Sequence, residues 1–143
     1  TGDDYVGGLV GFNEDTVSNS YSSSSVTGSS CVGGLVGVNR DTLSNSYSTG
    51  SVSGNESVGG LVGSDYLLGV NGTASNSFWD IETSGQATSA GGTGKTTAEM
   101  MDIATFTGAI WDIIGVADSG TRNPSYIWNI VDNVTYPFLS WQP

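Results

Sequence analysis

The hexapeptide Val6-Gly7-Gly8-Leu9-Val10-Gly11 recurs unchanged as Val32-Gly33-Gly34-Leu35-Val36-Gly37 and again as Val58-Gly59-Gly60-Leu61-Val62-Gly63. Both steps are 26 residues long. A fixed period of this size marks a repeat architecture in which each unit is one supersecondary element that cannot bury its apolar face alone. Such folds usually present surfaces rather than enclosed catalytic pockets.

Working outward from the hexapeptide, the period holds at further positions. Asn13, Asn39 and Asp65 correspond, as do Asp15 and Asp41, Val17 and Leu43, and Val26 and Val52. Ser18-Asn19-Ser20-Tyr21 matches Ser44-Asn45-Ser46-Tyr47 in period, and Ser75-Asn76-Ser77-Phe78 follows five residues late. The third unit therefore carries an insertion within Tyr66–Thr73, and the apolar Tyr66-Leu67-Leu68 is expected to pack on something. Each unit reads as three short strands joined by turns, in the second unit Val32–Val38, about Thr42–Ser48 and about Ser51–Ser53. The fold expected is mainly β: a parallel β-helix, or β-solenoid, of about three 26-residue coils, stacked about 4.8 Å apart by backbone hydrogen bonds.

Side-chain parity refines this picture. In the second strand Val17, Asn19 and Tyr21 share a face, which predicts an inward ladder of Asn19, Asn45 and Asn76 with Ser18 and Ser20 outside. In the first strand Leu9 opposes Val10, so apolar groups fall on both faces, as in a strand buried on both sides. Two readings stay open. Either a Gly-Gly bulge resets the phase, or the row Leu9, Leu35 and Leu61 is an interface covered by the C-terminal segment or by a partner chain.

Beyond about residue 83 the chain changes character. Residues 84–143 read as a capping segment, since a repeat stack needs an atypical end to hide its last edge. Within it Thr96–Phe106 is the one helix expected, with Thr96 or Thr97 as its cap and Met100, Ile103, Ala104 and Phe106 on its apolar side. Ile127–Ile130 and Tyr136–Leu139 read as extended segments.

Charge narrows the partners. The chain of 143 residues has 14 acidic and 3 basic side chains and a net charge of −11. Nucleic acid is excluded, because phosphate binding needs clustered Lys and Arg. No stretch is long and apolar enough to span a membrane. The single Cys31 excludes an internal disulfide, and with no histidine it excludes the usual zinc sites. Ser89–Thr96, SAGGTGKT, approaches a phosphate-binding loop but has Ser89 where that loop needs glycine, and it lacks the flanking α/β pattern. Asp80 and Glu82 share a strand face, yet nothing pairs them across a cleft as acid chemistry requires. No catalytic residues emerge. No cofactor is implied, and calcium is the one ion the pattern admits, through stacked turn carboxylates Asp15, Asp41 and Asp65. Asn55, Asn71 and Asn133 begin N-glycosylation sequons. Tyr66, Trp79, Tyr126 and Trp141 are candidate sugar-stacking aromatics, the basis of an alternative reading as a carbohydrate-binding module.

The repeat resembles the GLUG repeat, named for its Gly-Leu-x-Gly core, here Gly8–Gly11, Gly34–Gly37 and Gly60–Gly63. Asn45–Gly50, Asn-Ser-Tyr-Ser-Thr-Gly, is similar to the sequence that follows that core in the family. The first copy departs from it with Ser23-Ser24, and the third through its insertion. The segments Phe78-Trp79-Asp80, Gly94–Thr97, Ile127-Trp128 and Tyr136–Leu139 are similar to what often follows such repeats. The resemblance implies an extracellular or cell-surface prokaryotic protein of the adhesin kind, in which these repeats are accessory segments without a catalytic residue set. The expected role is structural or adhesive and non-enzymatic. The expected partners are other copies of the chain in an end-to-end filament or upstream repeats of a longer chain, with surface glycans or proteins beyond them. Gly2-Asp3-Asp4 aligns with Gly54-Asn55-Glu56, as though another repeat preceded Thr1.

Overall fold

The computed structural model describes all residues, Thr1–Pro143, which form two compact units, Thr1–Lys95 and Thr96–Pro143. The chain is mainly β, with 41% of residues in strands and 10% in three short helices.

In the first unit each full repeat has five very short strands. The first repeat contributes β1 (Asp4–Gly7), β2 (Val10–Asn13), β3 (Thr16–Ser18), β4 (Tyr21–Ser22) and β5 (Val26–Thr27). The second contributes β6 (Ser30–Gly33), β7 (Val36–Asn39), β8 (Thr42–Ser44), β9 (Tyr47–Ser48) and β10 (Val52–Ser53). The third begins with β11 (Glu56–Gly59) and β12 (Val62–Ser64), makes the insertion β13 (Tyr66–Leu67) and β14 (Val70–Asn71), and resumes with β15 (Thr73–Ser75) and β16 (Phe78–Asp80). Helix α1 (Ile81–Ser84) and β17 (Thr93–Lys95) follow. Corresponding strands pair in parallel, with Val6 opposite Val32 and Val32 opposite Val58, Val10 opposite Val36, and Tyr21 opposite Tyr47. The sequence period is thus the register of the sheets, and these parallel sheets are consistent with a β-helix.

Five strands replace the expected three because two of the expected strands are broken. Val32–Val38 breaks at Gly34-Leu35, where the N–H groups of Leu9 and Val10 both donate to Leu35 O, at 3.0 and 3.1 Å, and those of Leu35 and Val36 both donate to Leu61 O. This doubled acceptance turns neighbouring Leu and Val side chains the same way. Leu35, Val36, Leu61 and Val62 share one core with Leu43 and Trp79. The Leu row is therefore no surface row. Leu35 and Leu61 are fully buried in that core, against which Ala90 of the following segment also packs, and only Leu9, in the first repeat, is exposed (52%).

The second break falls at asparagine. Asn19, Asn45 and Asn76 adopt left-handed backbone, with φ of 48°, 46° and 47°, a conformation in which asparagine is strongly enriched. Their parity is lost at this corner, so the expected inward ladder does not form there. The serines turn in instead. Ser46 and Ser77 are buried, Ser20 N donates to Ser46 Oγ at 3.1 Å, and Ser46 N donates to Ser77 Oγ at 3.2 Å. The asparagine ladder lies at the neighbouring corner: Asn13 Nδ2 donates to Asn39 Oδ1 at 2.7 Å. Asn39 Nδ2 in turn donates to Asp41 O and Thr73 O, at 3.1 and 3.0 Å.

The insertion is an antiparallel hairpin, Tyr66 opposite Asn71 and Leu67 opposite Val70. Its tip, Leu68-Gly69, has positive φ at both residues, the requirement of a two-residue type I′ turn. Leu68 packs on nothing; it is 84% exposed. A leucine held left-handed costs about 1–2 kcal/mol, so Leu68→Asn is expected to stabilise the first unit by about 1 kcal/mol. Urea unfolding followed by circular dichroism checks this.

Stacking continues past residue 83, the boundary expected from the sequence, because β17 pairs with β16 in parallel, Phe78 opposite Thr93. In the second unit the expected single helix is two, α2 (Thr97–Met100) and α3 (Ile103–Gly108). Thr96 and Glu99 form a capping box on α2, and Asp102 starts α3 by accepting from Ala104 N at 2.8 Å. A second N-cap placed inside the apolar pattern is what divides it. Strands β18 (Ile113–Gly115), β19 (Trp128–Ile130) and β20 (Phe138–Leu139) form one sheet. Trp111 stacks obliquely on Phe106 and Trp128, with ring centroids 4.8 and 4.9 Å apart.

Candidate functional site

Chemistry-bearing side chains are used for structure. Asp80 is fully buried and caps α1, its Oδ1 accepting from Glu82 N and Thr83 N at 2.9 and 3.0 Å. Glu82, expected beside it on a strand face, lies in the first turn of the helix and is exposed. The Gly-rich stretch from Ser89 ends in strand β17, with Gly94 and Lys95 opposite Trp79 and Asp80, so it forms a sheet edge and no phosphate cradle.

The calcium expectation is not met by the donor set. Asp15 and Asp41 are exposed on their turns and Asp65 is half-buried, and no three acidic, cysteine or histidine side chains converge to hold a metal ion. Their neighbours Asn13 and Asn39 face inward instead, as the amide ladder. Asn55, Asn71 and Asn133 are all exposed, Asn71 on the inserted hairpin and Asn133 with φ of 60°. Cys31 is a free, half-buried thiol at φ 51°. Its repeat equivalents Tyr5 and Ser57 have the same left-handed backbone, at 57° and 51°, a shared conformation without shared chemistry.

Among the aromatics proposed for sugar stacking, Trp79 is buried, with Nε1 donating to Gln86 O at 2.8 Å. Trp111 and Trp128 are core as well. Tyr126 is half-buried. Tyr66 (56%) and Trp141 (65%) are exposed, on different units.

What the repeats present instead is a pair of unlike edges. Strands β1, β2, β3, β4 and β5 are each the outermost strand of their sheet. At the other side β10, β11, β12, β15 and β17 are outermost, and side chains with a short segment meet β12 and the backbone near Thr49 and Val52. Ser89 Oγ accepts from Leu61 N and Val62 N, at 3.2 and 2.8 Å, where Leu35 and Leu61 carbonyls serve the earlier repeats. Gly60 N donates to Thr88 O and Ala90 N to Val62 O, both at 3.0 Å. Where the third repeat leaves the register for α1, Thr83 Oγ1 donates to Thr49 O at 2.6 Å and Gln86 Nε2 to Val52 O at 2.9 Å. Composition did not single these residues out. Their spacing did carry a signal, since Ser89 stands 27 residues after Val62, about one period on.

Two stretches, residues 2–27 and 28–53, match the family model of the GLUG motif. The chain carries GLUG repeats. The matched stretches coincide with the first two stacked repeats, while the third GLUG-type copy, interrupted by the β13–β14 hairpin, lies outside them. The GLUG core residues Gly34 and Leu35 form the corner between β6 and β7, which gives the motif a mechanical meaning. No curated protein and no solved structure matches the chain. GLUG repeats are associated with extracellular repeat proteins, and no helix here is long and apolar enough to cross a membrane.

Proposed function

We propose that this chain is a non-enzymatic structural segment of an extracellular surface protein of the adhesin kind, its first unit a short β-solenoid that holds other parts of the surface protein at a distance. The observation that carries this reading is the use of polar side chains for stacking. Asn13 and Asn39, Ser20, Ser46 and Ser77, and the ring pair Tyr21–Tyr47, stacked at 5.1 Å, all join one repeat to the next. The acidic balance, −11 overall, suits a soluble exposed surface. Its partners are neighbouring segments of a surface protein and, through them, surface glycans or proteins.

Antibody against the chain, applied to intact cells that produce it, is expected to label the cell surface. Mild protease treatment of the intact cells is expected to remove the label. Recovery of the chain only from the cytosolic fraction, inaccessible to both reagents, would overturn the reading.

A further inference from the structure

We propose that the tip of the inserted hairpin, Tyr66-Leu67-Leu68-Gly69, is a cleavage site for an endoprotease with an apolar or aromatic primary pocket, and that the cut chain stays folded as two interlocked pieces. The proposal rests on the stacked first unit and not on the surface role, so its failure leaves that role untouched.

The hairpin offers what a protease needs, a segment that opens without unfolding the rest. Strands β13 and β14 have two residues each and pair with no third strand. A two-stranded hairpin of that kind is marginally stable by itself. Its fastenings lie at the base, where Gly72 N donates to Asp65 O and Ser64 Oγ to Tyr66 O, at 2.7 and 2.9 Å. Tyr66 and Leu68 are exposed, and a methyl added at Gly69 would find no atom within 4 Å. The left-handed backbone of Leu68 is relieved when the tip opens.

The surroundings of the candidate side chains choose the class of protease. An enzyme that cuts after basic residues has three positions to attack. Arg40 is fastened to Glu14 at 2.8 Å, and Lys95 ends strand β17. Arg122 donates from Nε and Nη1 to the carbonyls of Gln142, Ser119 and Thr121. An apolar primary pocket instead meets three suitable side chains in succession, Tyr66, Leu67 and Leu68. Tyr21, Tyr47, Phe78 and Trp79 are of the same kind but lie in the ladder strands β4, β9 and β16, which would have to part before a protease could seat them. In the cut, water adds across one peptide bond. At Leu68–Gly69 it leaves a carboxylate on Leu68 and an amine on Gly69.

The two pieces hold each other. Leu35, Leu43 and Leu61 come before the cut and Ala74, Trp79 and Ala90 after it, and all six pack in one core. Thr73–Ser75 pair with Thr42–Ser44, and Phe78 and Trp79 pair with Tyr47 and Ser48. Asn39 Nδ2 donates to Thr73 O, and Ser89 Oγ accepts from Leu61 N and Val62 N. None of these partners belongs to the tip, so the cut removes no rung.

The test treats the full chain with chymotrypsin, and separately with trypsin, at a low ratio of protease to chain, and identifies the products by mass. Chymotrypsin is expected to cut first after Tyr66, Leu67 or Leu68, and trypsin to leave the chain whole over the same interval. The cut chain is expected to elute from a native sizing column with the uncut chain, and to separate into two pieces in urea. A first cut elsewhere, at Tyr5, Tyr126 or Trp141 for example, overturns the site. Trypsin acting as fast as chymotrypsin overturns the class of protease, and pieces that part without urea overturn the interlock. Tyr66→Ser, Leu67→Ser and Leu68→Asn together are expected to slow the first chymotrypsin cut at least about tenfold with an unchanged circular dichroism spectrum, and an undiminished rate overturns the site. Leu68→Asn alone, which suits the turn, is expected to be cut after Tyr66 or Leu67; a first cut after any other residue in that chain overturns the site as well.

Discussion

Gly33→Ala is expected to leave the first unit unable to reach its native packing. A Cβ at Gly33 would overlap the Val36 carbonyl oxygen and sit 2.7 Å from Gly63 N and 2.8 Å from Leu61 O. All three neighbours are backbone, so no rotamer change relieves the overlap, and the strands would have to part. Overpacking in a tight interior costs about 1–3 kcal/mol when side chains can move. With backbone on every side, about 4 kcal/mol or more is expected, at the exceptional end for a single substitution. Gly2→Ala is the control, since the new methyl meets only the side chain of Val6, and its effect should stay within about 0.5 kcal/mol. Urea midpoints and far-ultraviolet dichroism measure both. The same geometry explains why the hexapeptide is invariant along this chain. Gly34 likewise would place a Cβ against Gly60 O and 2.8 Å from Ser48 Oγ. At Gly33 and Gly63 neighbouring backbones approach too closely for any side chain, and at Gly60 the Trp79 ring takes the space, so the glycines need no ligand to account for them.

Asn39→Ala is expected to cost about 3 kcal/mol, because a buried polar partner left unsatisfied costs about 1–3 kcal/mol and this side chain serves three. It accepts from Asn13 and donates to Asp41 O and Thr73 O, and it is fully buried. The bond to Thr73 has a particular role. Thr73 is where the chain re-enters the ladder after the inserted hairpin, so loss of Asn39 loosens the third repeat as well as the second. Asp65→Asn, at the corresponding half-buried position of the third repeat, is expected to change stability by less than about 0.5 kcal/mol. Thermal melts of the three chains, with hydrogen exchange at Ala74 and Ser75, separate the outcomes.

The period was fully legible in the sequence because identical residues at one spacing become partners across a ladder, and Val32 does lie between Val6 and Val58. The corners were not. Parity arguments assume an unbroken strand, and Asn19, Asn45 and Asn76 break it with left-handed backbone that sequence alone does not display. That single error moved the asparagine ladder one corner along and turned the serines outward. It was matched at Leu9, Leu35 and Leu61, where a carbonyl accepting two amides brought both Leu and Val into the core. The side-chain contacts at the far edge were harder still to foresee. Thr83, Gln86 and Ser89 act by replacing backbone partners, a role that any small polar residue can fill and that no motif marks.

The inserted hairpin leaves one further consequence. Between Asp65 and Thr73 the chain makes a complete excursion, yet Thr73–Ser75 returns to lie opposite Thr42–Ser44 without a slip, and Gly72 N closes the base of the excursion on Asp65 O at 2.7 Å. The corner after the asparagine ladder is therefore a splice point. A passenger peptide set between Arg40 and Asp41 would be carried on the outside of the stack while the rungs keep their spacing. Several such passengers, one per period, would line up along a single face like flags on a mast.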